Sequence, residues 1–125
     1  MSRTTFSSDK IAKPVGPFSS AVGAGGYVFL SGQVGQDPAT GRLVDGGVKA
    51  EVEQIFAGLE AVLEAAGKSF GDVVRVGVYL TEPRDYAALN EIYARHFERP
   101  YPARTVIMVA ALPLGAHVEM DVIAV

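Results

Sequence analysis

The sequence predicts an α+β fold in which two helices cover one face of a mixed β-sheet. The predicted elements follow the order of three strands, a helix, a strand, a helix and two strands, which is typical of this class. Two segments repeat apolar residues every three or four positions, as helices with one buried face do. With 125 residues, 49% of them apolar, the chain fits one domain over residues 1–125.

The first three strands are predicted at residues 3–6, 19–22 and 27–33, which are rich in β-forming residues. The four residues 23–26, GAGG, favour a hairpin turn between the last two, because glycine tolerates the positive φ of tight turns. Residues 13–17, KPVGP, predict a stiff connector, since each proline fixes its own φ and restricts the residue before it.

A helix is predicted over residues 47–66, and Gly67 is suited to end it. Its apolar residues share one face, while most of its charged residues lie away from that face. The predicted buried stripe consists of Val48, Val52, Ile55, Leu59, Val62 and Ala66.

The second half predicts a strand at 73–81, a helix at 85–97 with Asp85 as its N-cap, and strands at 103–109 and 117–125. Alternation in the first of these strands predicts one face formed by Val74, Val76, Val78 and Leu80. The buried stripe of the second helix is predicted to be Tyr86, Leu89, Tyr93 and Phe97.

The helices leave the other face of the sheet uncovered, although the strands carry apolar residues on both faces. Such a face needs a partner, so oligomerisation is expected on physical grounds alone.

Composition narrows the classes of function. A net charge of −3 with interspersed acids and bases argues against nucleic acid as a partner. The absence of cysteine excludes disulfides, a cysteine nucleophile and thiolate metal sites. The first ten residues have no apolar core of a signal peptide, and no apolar run approaches the ~20 residues of a membrane span. We therefore expect a cytoplasmic protein that does not associate with membranes.

Arg104 is the most informative polar residue, because it lies within an apolar strand and shares a face with Val106 and Met108. A buried guanidinium needs a partner, and its planar fork matches a carboxylate. Arg104 could therefore anchor a substrate carboxylate. A structural salt bridge, or an edge-strand arginine that reaches water, fits the pattern as well.

Glu119 is the second candidate, because a carboxylate beside a cleft can hold or deprotonate water. A solvated polar face fits equally well and would include Asp121. Ser31 and Gly32, in the SGQ at 31–33, could offer a hydroxyl and backbone amides to a ligand, or simply form a turn. The two histidines form no catalytic or metal-binding pattern, and no metal or phosphate motif is present.

Several segments taken in order resemble the Rid/YjgF family of imine deaminases. They are VGPFSSAV at 15–22, YVFLSGQVG at 27–35, the stretch from LEAAG to NEIY at 63–93, and YPARTVIMV through HVEMDVIAV at 101–125. The similarity runs from about residue 13 to the end of the chain.

The resemblance implies a chorismate-mutase-like fold and a homotrimer whose sheets form a central β-barrel, with a cleft between each pair of subunits. It implies hydrolysis of reactive enamines and imines, such as 2-iminobutanoate and 2-iminopropanoate, to 2-oxo acids and ammonia, without cofactor or metal. This chemistry limits metabolite damage. By matching motifs, Arg104 is the carboxylate anchor, Glu119 positions water, and Ser31, Gly32 and Asn90 line the cleft.

Two positions depart from the family pattern and leave the substrate open. Phe18 replaces the usual tyrosine, so it can cover a substrate but cannot donate a hydrogen bond to it. Val106 stands where cysteine is frequent, which makes the pocket more apolar. A sibling activity on an aminomuconate- or aminoacrylate-type substrate is one alternative. A non-catalytic module that binds small carboxylates or acts as a holdase is another. The ribonuclease activity sometimes attached to the family finds no support in an acidic chain without a pair of catalytic histidines.

Overall fold

The computed structural model describes residues 2–125, and within them the chain forms six strands and two helices. In chain order these are β1 (Thr4–Phe6), β2 (Ala21–Ala24), β3 (Tyr27–Gln33), α1 (Gly47–Ala65), β4 (Val73–Leu80), α2 (Tyr86–His96), β5 (Ala103–Met108) and β6 (Val118–Ala124). The predicted order of elements and the α+β class are confirmed.

The strands form one mixed sheet in the order β1-β2-β3-β6-β4-β5, open at both edges. β4 and β5 run parallel, while every other neighbouring pair is antiparallel. The parallel pair is joined through α2, as parallel neighbours require a crossover connection. The hairpin between β2 and β3 turns at Gly25 and Gly26, both with positive φ. Strand β2 therefore lies two residues later in the chain than the predicted range 19–22.

Helix α1 buries the predicted stripe against the sheet. Val52, Ile55, Leu59 and Val62 are each fully buried. The helix ends just before Gly67, as predicted, and the φ of 73° at Gly67 lets the N–H of Lys68 reach the carbonyl of Leu63 at 2.8 Å. Among residues 2–125, no helix combines the length and apolarity needed to cross a membrane.

Two further details of the predicted elements are wrong. Val74 is 40% exposed, because an irregularity in the β4–β6 register between Val73 and Arg75 turns Val73 toward the core instead. Tyr86 is 42% exposed, and its hydroxyl contacts Arg104 instead of entering the core. Asp85 is the N-cap residue of α2 as predicted, but its side chain makes no capping hydrogen bond.

The face of the sheet opposite the helices is uncovered and partly apolar, as predicted. Register places Phe29 opposite Ile123 and Ile107 beside Tyr79 on this open face. Phe29 and Ile107 are 44% and 45% exposed, and Tyr27, whose ring lies 6.2 Å from that of Phe29, is 48% exposed. An exposed apolar patch of this kind marks an interaction surface.

A hydrogen-bonded pair, the buried Glu51 and the partly exposed His117, joins α1 to the start of β6. Glu51 is 1% exposed, and its carboxylate accepts hydrogen bonds from the backbone N–H of His117 at 2.7 Å and from the His117 ring. The backbone of Gly35 packs so closely on Glu51 that a Cβ there would lie 2.8 Å from the Glu51 Cα. Glu51 therefore links α1 to the residue that directly precedes β6.

This pair predicts a pH-dependent stability. The hydrogen bond to Glu51, and then its negative charge, raise the pKa of His117 above 6.5. Stabilisation from a raised pKa is complete below the unfolded value and is lost as the pH rises through the folded one. We therefore expect the free energy of unfolding to fall as the pH rises from 6.5 through the raised pKa of His117. Urea unfolding at fixed protein concentration between pH 6 and 9 measures this. The same decline in a His117→Gln variant would show that another group is responsible.

Candidate active site

Arg104 lies on the edge strand β5, on the face of the sheet that the helices cover. Its register partner Val76 is fully buried beneath those helices. Nη1 of Arg104 donates to Oδ1 of Asn90 at 2.8 Å, and Nη2 donates to the hydroxyl of Tyr86 at 3.2 Å. The guanidinium carbon lies 4.7 Å from the centroid of the Tyr93 ring. The structure thus brings Arg104 and Asn90 together in one cluster, with α2 as its wall.

Within residues 2–125, no carboxylate oxygen lies within 4.0 Å of Arg104. A salt bridge inside the chain therefore does not account for this arginine. Val106 follows two positions later on the same face, half-buried against the core. Beside the guanidinium, a cavity of about 350 Å³ is lined by Asn90, Tyr93, Ala94, Tyr101, Pro102 and Arg104.

Glu119 lies on β6 and points toward the open face, opposite Tyr79 of β4. Burial, and then the charge of Asp121, raise the pKa of the Glu119 carboxyl above its usual 4.5. The carboxylate rests against the backbone of β3 at Gly32, where a Cβ would lie 2.5 Å from Oε2 of Glu119. A side chain at position 32 would push the carboxylate aside, so the glycine allows Glu119 to pack on β3, and Gly32 and Glu119 form one unit.

Ser31 and Phe18 lie next to this unit. The register of β3 against β6 is irregular between Leu30 and Gln33, which takes Ser31 and Gly32 out of regular pairing. The Ser31 hydroxyl donates to the carbonyl of Ser19 at 2.6 Å and so fixes the segment that carries Phe18. Phe18 is 53% exposed and shares the lining of a small cavity, about 90 Å³, with Ser31 and Gly32.

The two clusters lie on opposite faces of the sheet. Arg104 points to the helical side of β5, whereas Glu119 points to the open side of β6, with β4 between them. The backbones of β5 and β6 are two strand spacings apart, roughly 10 Å. The side chains of Arg104 and Glu119 point in opposite directions, which increases the distance between them. One copy of the chain therefore does not bring Arg104 and Glu119 to the same small molecule.

No three His, Asp or Glu side chains converge as metal ligands anywhere in residues 2–125. The chemistry that the clusters themselves offer is anion binding at Arg104 and proton acceptance at Glu119.

A family model described as Endoribonuclease L-PSP matches residues 9–125, nearly the whole chain. The chain belongs to this family, the Rid/YjgF family. Protein DfrA of Myxococcus xanthus is 46% identical over 127 residues, covering 100% of this chain and 97% of that protein. The 2-iminobutanoate/2-iminopropanoate deaminase of Mus musculus is 43% identical over 123 residues, covering 98% and 91%.

Among solved structures, RidA from the Antarctic bacterium Psychrobacter sp. is 45% identical, with a TM-score of 0.93 and coverage of 97% of this chain and 98% of that one. The chorismate-mutase-like fold of the Rid proteins is thereby confirmed for this chain. Relatives named as imine deaminases support a hydrolase-type role at the level of the family.

Sequence reasoning missed one residue of the Arg104 cluster in this Rid protein. Tyr86 was assigned to the buried stripe of α2, yet its hydroxyl contacts the guanidinium. The signal was present in the spacing, because Tyr86, Asn90 and Tyr93 lie four and three positions apart and so share one face of the helix. That face carries polar atoms and lies beside the strand of Arg104.

Proposed function

We propose that this protein hydrolyses 2-iminobutanoate and 2-iminopropanoate to 2-oxo acids and ammonia. The observation that carries the proposal is the state of Arg104. Its guanidinium is held by two neutral oxygen atoms and has no carboxylate partner in residues 2–125, which leaves N–H groups for an anionic ligand. Relatives with the corresponding name support the choice of substrate.

We propose further that the active site forms between copies of the chain in a homotrimer. One copy supplies Arg104, and its neighbour supplies Glu119 with Gly32, Ser31 and Phe18. This arrangement accounts for clusters that lie on opposite faces of one sheet. The exposed apolar residues of the open face support the assembly, because three such faces would cover one another around a central barrel. Sedimentation equilibrium measures the mass of the assembly, and a monomer would contradict the shared site.

In the proposed mechanism, Arg104 binds the substrate carboxylate and orients C2 toward the neighbouring copy. The reacting species is the protonated imine, which an enamine substrate forms by taking a proton at C3. Glu119 accepts a proton from a water molecule as the water oxygen bonds to C2 and the C=N π electrons move to nitrogen. The resulting carbinolamine carries a hydroxyl and an amino group on C2. Protonation of that nitrogen and loss of the hydroxyl proton then release ammonia and leave the 2-oxo acid.

The partly buried position of Glu119 suits this step. A raised pKa makes the ionised carboxylate a better proton acceptor. The imine also hydrolyses in water without a catalyst. Positioning together with one general base is therefore enough to explain a useful acceleration.

Clearance of the imine tests the proposal. An amino-acid oxidase generates iminobutanoate from 2-aminobutyrate and iminopropanoate from alanine, and semicarbazide traps whatever imine remains. The wild-type protein should lower the trapped product and release 2-oxo acid faster than oxidase alone. Unchanged trapping would reject the proposed substrates. A protein that binds 2-oxobutanoate without turnover would instead fit the carboxylate-binding module.

A sibling activity on a larger imino acid is favoured by one observation, the apolar Phe18 beside Ser31 and Gly32.

If Phe18 only covers the substrate, a Phe18→Tyr variant gains a donor to the carboxylate. We expect KM for iminobutanoate to fall roughly two- to fivefold with kcat nearly unchanged, as one added hydrogen bond allows. Steady-state kinetics on iminobutanoate measure the change. An unchanged or higher KM would show that no acceptor lies within reach of position 18.

A further inference from the structure

The hydrogen bonds around Arg104 determine which atoms remain free to bind a ligand. A guanidinium has only donors, so both of its partners must accept. Asn90 therefore turns its carbonyl oxygen to Arg104 and keeps its two amide N–H donors, and the Tyr86 hydroxyl accepts and keeps its own hydrogen. The cluster consequently presents donors from all three side chains.

Tyr86 is placed to use its hydrogen on a ligand. It begins α2 directly after the turn at 83–85, and it is 42% exposed, whereas Tyr93 under the guanidinium is 6% exposed. Tyr93 therefore forms the floor of the cluster, and Tyr86 forms its accessible rim. Within residues 2–125, the Tyr86 hydroxyl has no acceptor for its hydrogen. A carboxylate bound to Arg104 would provide one, because its two oxygens offer about four lone pairs.

We infer that Tyr86 is a substrate-binding residue, whose hydroxyl donates to the carboxylate that Arg104 holds. The inference rests on the proposed function for the identity of the ligand. The hydroxyl group that donates to the substrate carboxylate would then come from α2, in the same copy of the chain as Arg104. In this Rid protein the aromatic residue at position 18 is phenylalanine and cannot supply that donor. Two groups thus bind the carboxylate, the positively charged guanidinium of Arg104 and the neutral hydroxyl of Tyr86.

Binding of 2-oxobutanoate, the product of the proposed reaction, tests the inference without requiring turnover. Titration calorimetry compares the wild-type oligomer with Tyr86→Phe, which removes one oxygen atom and keeps the ring. We expect Kd to rise roughly tenfold, the effect of one hydrogen bond to a charged group. The control is Arg95→Ala on the same helix, because Arg95 pairs with Glu91 at 3.0 Å on the exposed surface and does not line the cavity beside Arg104. Its Kd should stay within about twofold of wild type.

A second pair of variants separates direct contact from an effect through Arg104. In an Arg104→Lys background the positive charge remains, but the fork that spans Asn90 and Tyr86 is gone. If Tyr86 touches the ligand, adding Tyr86→Phe to this background still weakens binding severalfold. If Tyr86 only orients the guanidinium, the second change has no further effect, and the inference is overturned.

The outcomes also separate this inference from the proposed function. A wild-type Kd in Tyr86→Phe overturns the role of Tyr86, while imine clearance by the same variant leaves the deaminase proposal intact. A tenfold loss of affinity in a protein that clears no imine supports Tyr86 as a carboxylate donor and rejects the reaction. No measurable binding to the wild type overturns both the Tyr86 donor and the Arg104 anchor.

Discussion

An Arg104→Ala variant is expected to lose at least about 100-fold in kcat/KM for iminobutanoate while remaining assembled. Two hydrogen bonds to a charged group are together worth about 3 kcal/mol or more, and each ~1.4 kcal/mol is a factor of ten in rate. The loss falls on transition-state stabilisation, because the carboxylate fixes C2 against the attacking water. The semicarbazide trapping assay measures the rate, and light scattering measures the mass of the oligomer.

The matched control is Arg95→Ala, the same change on the outer face of α2. Arg95 pairs with Glu91 on the exposed helix surface at 3.0 Å and lies outside the Arg104 cluster. We expect it to keep nearly all of its activity. If Arg104→Ala clears imine as fast as Arg95→Ala does, Arg104 does not anchor the substrate. Arg104→Lys should fall between them, because it keeps the charge but not the fork.

A Glu119→Gln variant is expected to lose roughly 100- to 10,000-fold in kcat, the range of general acid–base catalysis. Glutamine has nearly the same shape and still fits against Gly32, but its amide cannot accept the proton of the attacking water. Binding of 2-oxobutanoate should change little, because Arg104 holds the carboxylate. Single-turnover rates and calorimetry on the same preparation measure the two effects separately.

Asp121→Asn is the control, since Asp121 shares the open face with Glu119 and accepts a hydrogen bond from Tyr79 at 2.9 Å. The charge of Asp121 helps to raise the pKa of Glu119. Removing that charge should lower this pKa. The acidic limb of the rate profile would then move to lower pH, with the plateau rate nearly unchanged. A large loss of plateau rate in Asp121→Asn, together with normal rates in Glu119→Gln, would mean that Asp121 is the base.

Much of the fold could be predicted from periodicity, because it depends on interactions between near neighbours. The stripe of α1 and the alternation of β6 follow from which residues are apolar. The prediction for Val74 was wrong because a local irregularity shifts the register of β4 by one residue, and such a shift moves a side chain to the other face of the sheet. The prediction for Tyr86 was wrong because its hydroxyl contacts Arg104 on another element, and periodicity within one helix does not show such a contact.

The residues of the candidate site could be named from the sequence, but their arrangement could not. Whether Arg104 and Glu119 share a face depends on which strands are neighbours and in what register, and both are set by contacts far apart in the chain. The pairing of Glu51 with His117 is of the same kind, because 66 positions separate the two residues. The residues next to Glu51 or His117 in the sequence do not predict that the two are in contact.

The placement of the two clusters on opposite faces of one sheet has a consequence for inheritance. If each catalytic cleft takes Arg104 from one copy and Glu119 from the next, a chain mutated at one of these positions still supplies the other residue to a neighbouring copy. Two differently damaged alleles in one cell would then rebuild some whole clefts in mixed oligomers. Two alleles damaged at the same position would rebuild none. Genetic complementation within a single gene is thus a property that the geometry of the sheet gives to the proposed assembly.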